Sequence, residues 1–344
     1  MPWWEPQNHA DRRPLLALRA RTKAALRAWF EGQGFAEVEC AILGASPGNE
    51  AHLHAFETMA TDPAGGQRTL YLHTSPEFAA KKLLAAGEER IFEFARVFRN
   101  REQSPLHAPE FTMLEWYRKD APVTAVMDDA VTLVRMAAKH AGAAMLRYRD
   151  RGCDPLADAE RLSVGDAFRI HAGIEIMDTL ASDGVTDGGR DMLATRARRA
   201  GLAITDADSW SDIFSKILAA HVEPRLGLEK LTLLTDYPRV EAALARPNPQ
   251  DLRLSERFEL YACGVELANG FGELTDPVEQ RARFEAEMDE KQRIYGTRYP
   301  LDEDFLSALA CMPPASGVAM GFDRLVMLVS GAPDIKHVIW VPLG

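Results

Sequence analysis

Apolar positions recur with a helical period near the start of the chain and then give way to alternation. Leu15, Leu16, Leu18, Ala24, Ala25, Leu26, Trp29 and Phe30 fit one stripe of a 3.6-residue repeat and predict an amphipathic helix over residues 13–32, ended by Gly32 and Gly34. A strand follows from Phe35. Residues 50–73 alternate loosely around Asp62, Pro63, Ala64, Gly65 and Gly66, a turn signal that predicts a hairpin returning over 69–73. Pro76 fits the first turn of a short helix, with Ser75 as its cap and Glu77 at the junction between strand and helix. Two alternating runs within residues 91–118 then predict a second hairpin. Its later strand places Phe111, Met113, Glu115 and Tyr117 on one face, and Glu110, Thr112, Leu114 and Trp116 on the other.

Residues 123–142 read as a helix and 150–230 as mostly helical segments with polar breaks. The last third returns to strands: a short one over 231–234, then a hairpin over 258–271 that turns near Cys263 and Gly264. Simple alternation along its second arm puts Glu266, Ala268 and Gly270 on one face. A charged helix runs from Asp276 to about Tyr295, and residues 317–329 pass from a strand into a final helix. No linker rich in proline, glycine or serine divides the chain, so a single domain over 1–344 is expected, with a helical elaboration at about 120–230.

Composition narrows the classes. A chain of 344 residues with 47% hydrophobic content can bury a sizeable core. Its formal charge of −11 disfavours a nucleic-acid surface driven by phosphate neutralisation, although a local basic patch stays open. Cys40, Cys153, Cys263 and Cys311 are scattered and form no metal-type pair, so free thiols in a reducing compartment are expected. The first residues carry no secretory pattern, and no apolar run approaches the ~18 residues that span a bilayer, which predicts a cytoplasmic protein.

Three groups of residues suggest chemistry. Arg99 ends the incoming strand of the 91–118 hairpin, with Arg101 across Asn100, and a guanidinium there suits a phosphate; an ordinary amphipathic hairpin with a charged turn has the same pattern. Arg324 falls in the first turn of the last helix, where the macrodipole disfavours a cation unless an anion compensates. A phosphate approaching Gly317 and Gly321 meets that need, as does a salt bridge to Asp323. Glu266 and Glu273 flank a glycine-rich stretch whose bending would bring both carboxylates onto one hard cation; a solvated acidic face is the alternative. His52 and His54 read as surface imidazoles.

In this order the pieces resemble the catalytic domain of the class II aminoacyl-tRNA synthetases, lysyl subgroup. Phe98, Arg99 and Asn100, continuing through His107 to Glu115, resemble motif 2. Residues 266–274 resemble the segment before motif 3, and 317–324 motif 3 itself. The resemblance implies an α+β fold, an antiparallel sheet flanked by helices, working with ATP and Mg²⁺ as a homodimer. It implies that Arg99 holds the α-phosphate, Phe111 stacks on adenine and Arg324 binds the γ-phosphate, with Asn100, Arg101, Leu267 and Gly321 also at ATP. Glu266 would contact ATP through magnesium shared with Glu273, while Ser75, Pro76, Glu77, Glu115, Tyr117, Glu273 and Ala319 would line the amino-acid site. There are departures. Arg101 replaces the motif-2 glutamate, with Glu102 one place later, leaving adenine recognition to backbone groups; Ala108 replaces an asparagine, and Cys40 and Ala41 stand where a threonine and proline are common.

Ser75 and Ala319, where lysyl-tRNA synthetases typically have alanine and glycine, resemble the protein-modifying branch of the subgroup. That branch joins (R)-β-lysine or lysine to a lysine of elongation factor P, converting ATP to AMP and diphosphate. The family-like part begins close to the start, so no anticodon-binding OB domain is expected before it, and elongation factor P rather than tRNA is the expected acceptor. A truncated lysyl-tRNA synthetase and a non-catalytic regulatory paralogue are the alternatives; retention of Arg99, Glu266, Glu273 and Arg324 favours catalysis.

Overall fold

A computed structural model of the chain describes residues 2–182, 184 and 188–343. Contacts group them into two units, Met1–Ala121 with Thr275–Gly344, and Pro122–Leu274. The first unit opens with α1 (Pro6–Gly32), which starts well before the apolar stripe does. Pro6 supplies a preset φ at the helix start, and the buried Arg12 donates to the Ile339 carbonyl, a distant anchor that no local periodicity reports. Then come β1 (Ala36–Glu37), β2 (Leu43–Gly44), β3 (Phe56–Thr61) and β4 (Gln67–Leu72). The expected turn closes β3 on β4, with Asp62 Oδ1 accepting from the Ala64 and Gly66 amides, both at 2.8 Å.

Helix α2 (Glu77–Ala85) starts one residue later than Pro76 suggests, because Pro76 is its cap rather than its first residue; Ser75 Oγ instead accepts from the Glu77 amide (3.0 Å). Strands β5 (Arg90–Phe98) and β6 (Glu110–Lys119) pair antiparallel in unbroken register from Arg90↔Arg118 to Phe98↔Glu110. Phe30 of α1 stacks on Phe92 with centroids 4.5 Å apart, fixing the helix to this hairpin.

The second unit contains α3 (Val123–Ala141), the hairpin β7 (Leu146–Tyr148) and β8 (Arg151–Cys153), then β9 (Glu160–Ser163), α4 (Val164–Ala172), α5 (Arg190–Arg199) and α6 (Trp210–Ile217). The stretch 150–230 is therefore less uniformly helical than expected: strands of three or four residues are too short to display alternation. Around Phe168, Trp210, Phe214 and Tyr237 these helices close a buried core. Strands β10 (Thr232–Pro238), β11 (Leu254–Ala262) and β12 (Val265–Gly272) follow β9 in the order β9-β10-β11-β12. The β11–β12 turn is Cys263–Gly264, both at positive φ (56° and 68°), as the mirror-image hairpin turns require.

The chain then returns to the first unit with α7 (Pro277–Tyr295), capped by Asp276, followed by α8 (Glu303–Leu309), β13 (Ala315–Gly321) and α9 (Phe322–Ser330). Strand β13 runs antiparallel to β6, giving the order β1-β5-β6-β13. Among the described strands, β1 joins β5 and β9 joins β10 in parallel, while β3–β4, β5–β6, β6–β13, β10–β11 and β11–β12 pair antiparallel. The fold is α+β, as expected.

Candidate functional site

In the first unit the site is built on one row of β6. Cross-strand pairing sets Gly321, Ala319 and Gly317 of β13 opposite Met113, Glu115 and Tyr117, while β5 sets Glu93 opposite Glu115. Small residues on β13 leave the row's floor open, and Ala319 places its methyl beside Glu115. Glu115 is buried, and its carboxyl is pushed up to about 8, chiefly by desolvation. The charges of Glu77 and Glu93 raise it further, while hydrogen bonds from Ser75 Oγ (2.5 Å) and the Tyr117 hydroxyl (3.0 Å) favour the carboxylate. Glu77 stands at the first residue of α2, where the helix dipole suits a negative charge, and Lys81 Nζ, wholly buried, donates to it at 2.5 Å. Three carboxyl groups, Glu77, Glu93 and Glu115, set against the Lys81 ammonium form an acidic pole that suits an amino group.

The other end of the row is cationic. Arg99 donates from Nε to the Thr74 carbonyl (3.3 Å), and its guanidinium lies 5.4 Å over the Phe111 ring. Arg101 points elsewhere: it has φ 66°, its amide is held by Asn100 Oδ1 (2.9 Å), and its guanidinium covers Tyr295 at 5.7 Å. Of the residues expected at ATP, then, Arg99 and Phe111 come together, while the Arg101 guanidinium lies over Tyr295. Arg324 does not pair with its neighbour Asp323, which is buried against Arg19 and accepts from the Thr112 amide at 2.8 Å. Arg324 instead reaches the Leu106 carbonyl (Nε, 3.3 Å) and His107 Nε2 (Nη2, 2.7 Å).

Burial, then the nearby charges of Arg324 and Arg99, push the His107 imidazolium down to about 4, so the ring is neutral at pH 7. A guanidinium only donates, hence Nε2 accepts and the ring proton sits on Nδ1, directed at Ser104 Oγ (2.7 Å). Two arginines converging on one neutral histidine make a site for an anion. Sequence reading placed His107 within a motif without giving it a role, and it missed Lys81 and Arg19 altogether. The signal of Arg19 was lost because its partner Asp323 is set by packing, whereas Lys81 stands one helical turn after Glu77, an i,i+4 spacing that could have found it.

In the second unit, β12 differs from expectation. Tyr261 pairs with Glu266 but Leu260 pairs with Ala268, so Leu267 is an extra residue in a bulge. Alternation flips there: Glu266 shares its face with Asn269 and Phe271, opposite Tyr261, Glu259 and Arg257, and not with Ala268 and Gly270. Leu267 itself is buried. The expected glycine bend is also absent, since β12 stays extended to Gly272. At ~3.3 Å per residue, Glu266 and the buried Glu273 have Cα atoms on the order of 20 Å apart, too far for both carboxylates to close on one cation.

The carboxylate that does share Glu266's face is Glu259. It accepts from the Tyr237 and Tyr261 hydroxyls, each at 2.6 Å, and from Arg257 Nη2 at 2.5 Å. Desolvation, followed by Glu259 and, more weakly, Glu266, pushes both phenols up, which puts the two carboxylates around the same tyrosines. Two carboxylates on one rigid hairpin face fit a hard divalent cation in donor chemistry.

The sequence profile of the tRNA synthetases class II (D, K and N) matches residues 8–343. The chain is 38% identical over 338 residues to the elongation factor P–(R)-β-lysine ligase of Haemophilus influenzae (strain PittGG), covering 98% of this chain and 96% of that protein. It is 38% identical over 340 residues to the ligase of the same name from Salmonella paratyphi B, with the same coverage of each chain.

Proposed function

The chain belongs to the class II tRNA synthetases of the D, K and N group, and from that membership we propose that it is the ligase that activates (R)-β-lysine with ATP and transfers it to a lysine of elongation factor P. The observation that carries this reading is the polarity of the β6 row. Arg99, Phe111, His107 and Arg324 gather at one end, and Glu115 with Tyr117, Glu77 and Ser75 at the other. An aminoacyl-adenylate of a diamino acid has the matching polarity, with a phosphate beside an aromatic base at one end and an ammonium at the other.

In the first step the amino-acid carboxylate attacks the α-phosphate of ATP and diphosphate leaves; in the second the acceptor lysine amine attacks the acyl carbon and AMP leaves. Neither step needs a protein nucleophile. Arg99 orients the α-phosphate and takes up its developing charge, Phe111 offers a stacking face to adenine, and Arg324, held by neutral His107, neutralises the leaving diphosphate. Backbone groups near Asn100 and Gly321 complete the nucleotide's surroundings. Glu77 and Glu115 hold substrate ammonium groups, Tyr117 bonds at the side-chain end, and Ser75, Pro76 and Ala319 shape the space around the amino-acid backbone. A divalent cation of the magnesium type supplies further charge neutralisation when bound, and in the second unit we assign it to Glu266 with Glu259. Glu273 is assigned to the amino acid and Leu267 to ATP through its backbone. We further assign the enzyme to the cytoplasm as a homodimer; no helix among the described residues is long and apolar enough to cross a membrane.

The deciding experiment offers labelled (R)-β-lysine or lysine, ATP and Mg²⁺ together with purified elongation factor P or bulk tRNA. Acid-stable label is expected on the protein and not on tRNA, since a net charge of −11 gives no general attraction for a polyanion. Label on tRNA alone would promote the aminoacyl-tRNA synthetase alternative.

A further inference from the structure

Behind the Arg99 turn lies a buried lysine that the reaction does not use. Lys291 of α7 is fully buried, and its Nζ donates to the carbonyls of Ala51 (2.9 Å) and Leu53 (2.6 Å). The ring faces of Tyr299 (4.8 Å) and Tyr295 (5.6 Å) cover the same ammonium. Burial lowers the Lys291 ammonium to about 8, with Arg101 adding to the shift. Isolating a cation this way is costly unless its donors are used, and here they are used on backbone carbonyls.

The same helix and the loop after it hold the rest of residues 49–55. Glu287 accepts from the Ala51 amide (2.8 Å), the Tyr295 hydroxyl meets His52 Nδ1 (3.0 Å), and the Tyr299 hydroxyl accepts from the Ala55 amide (3.0 Å). Asn49 Nδ2 donates to the Pro300 carbonyl (3.3 Å). This strap ends on the site: the His54 carbonyl accepts from the Asn100 amide at 2.6 Å, between Arg99 and Arg101.

We propose that Lys291 is a positioning residue for the Arg99–Arg101 turn, clamping the 49–55 strap so that the strap fixes Asn100 and, through it, the direction of the Arg99 guanidinium. The inference rests on the reading of Arg99 as a phosphate-binding residue. Lys291 touches no substrate; it sets the geometry with which Arg99 meets ATP. A turn holding a non-glycine residue at φ 66° needs such outside support.

The test is Lys291→Met, which keeps the stem and removes the ammonium. Amide hydrogen exchange of the full chain should speed up at residues 49–55 and 99–101 while β6 stays protected. In amino-acid-dependent ATP–diphosphate exchange, KM for ATP should rise about tenfold, with kcat within about threefold and KM for the amino acid unchanged. Protection lost equally throughout, with both KM values rising together, would make Lys291 a plain scaffold residue; unchanged exchange in the strap and the turn would overturn the clamp. Should Lys291→Met fail to fold, Tyr299→Phe removes only the hydroxyl that accepts from Ala55, and it should show the same pattern more weakly. Arg99→Ala separates the two ideas: an unchanged KM for ATP there overturns the role of Arg99, whereas the amide exchange of Lys291→Met judges the clamp itself.

Discussion

Glu115 keeps its proton near neutral pH because burial and two neighbouring carboxylates outweigh its hydrogen bonds from Ser75 and Tyr117. Its carboxyl rises from the usual 4.5 to about 8, so the folded chain binds this proton more tightly than the unfolded chain does. The resulting stability is fully present below pH 4.5 and is lost as pH rises through about 8. Glu115→Gln imitates the protonated form and should escape the loss. Urea unfolding of both proteins at about pH 5 and about pH 9 should show the mutant gaining on the wild type by a few kcal/mol, on the order of the linkage for a buried carboxyl. Parallel pH dependences would mean that Glu115 is charged throughout. In the proposed function, an ammonium of the substrate beside Glu115 favours its carboxylate form, which is the part assigned to this residue in substrate choice. Ala319 of β13, paired directly with Glu115 of β6, is proposed to act on the same space by volume. Ala319→Gly should move the ratio of kcat/KM from (R)-β-lysine toward α-lysine by about 1–3 kcal/mol, the usual worth of one methyl in a pocket. A ratio that stays put would take Ala319 out of selectivity.

Arg324 is presented by α9, and α9 is fixed through its other first-turn residue. Asp323 joins Arg19 of α1 and the Thr112 amide of β6, while Arg19 also donates to Thr112 Oγ1 at 2.8 Å, so one buried ion pair ties two helices to the site strand. Arg19→Met would strand a buried carboxylate and should cost about 3–5 kcal/mol, read as a lowered urea midpoint at unchanged m-value. A loss of less than about 1 kcal/mol would show that Asp323 finds water or another donor. The β12 bulge shows how little local pattern says about such features. Residues 265–272 alternate well enough to announce a strand, yet one inserted residue at Leu267 moves Asn269, rather than Ala268, onto the face of Glu266. The turns were legible for the opposite reason. Asp62 closes its own loop through side-chain bonds to amides two and four residues on, and Cys263–Gly264 needs only a residue pair that tolerates positive φ.

Across the full chain, net charge, family resemblance and the order of motifs were readable before any coordinates, because each depends on residues close together in sequence or on their sum. So were the β5–β6 hairpin and its Phe111–Tyr117 row, since strand alternation is a local geometry. The partners of the buried charges that pair far along the chain were not. Arg19 meets Asp323 across 304 positions, Lys291 meets Leu53 across 238, and Arg324 chooses His107 across 217 in preference to the acid beside it. A charged side chain looks the same in sequence whether it is solvated or enclosed; packing decides which, because a low-dielectric interior tolerates only those charges that donors and acceptors from other elements have met. For the same reason the chain's pattern announced Glu266 and Glu273 as a pair, and an extended strand with one bulge assigned Glu259 in place of Glu273 as the carboxylate on Glu266's face.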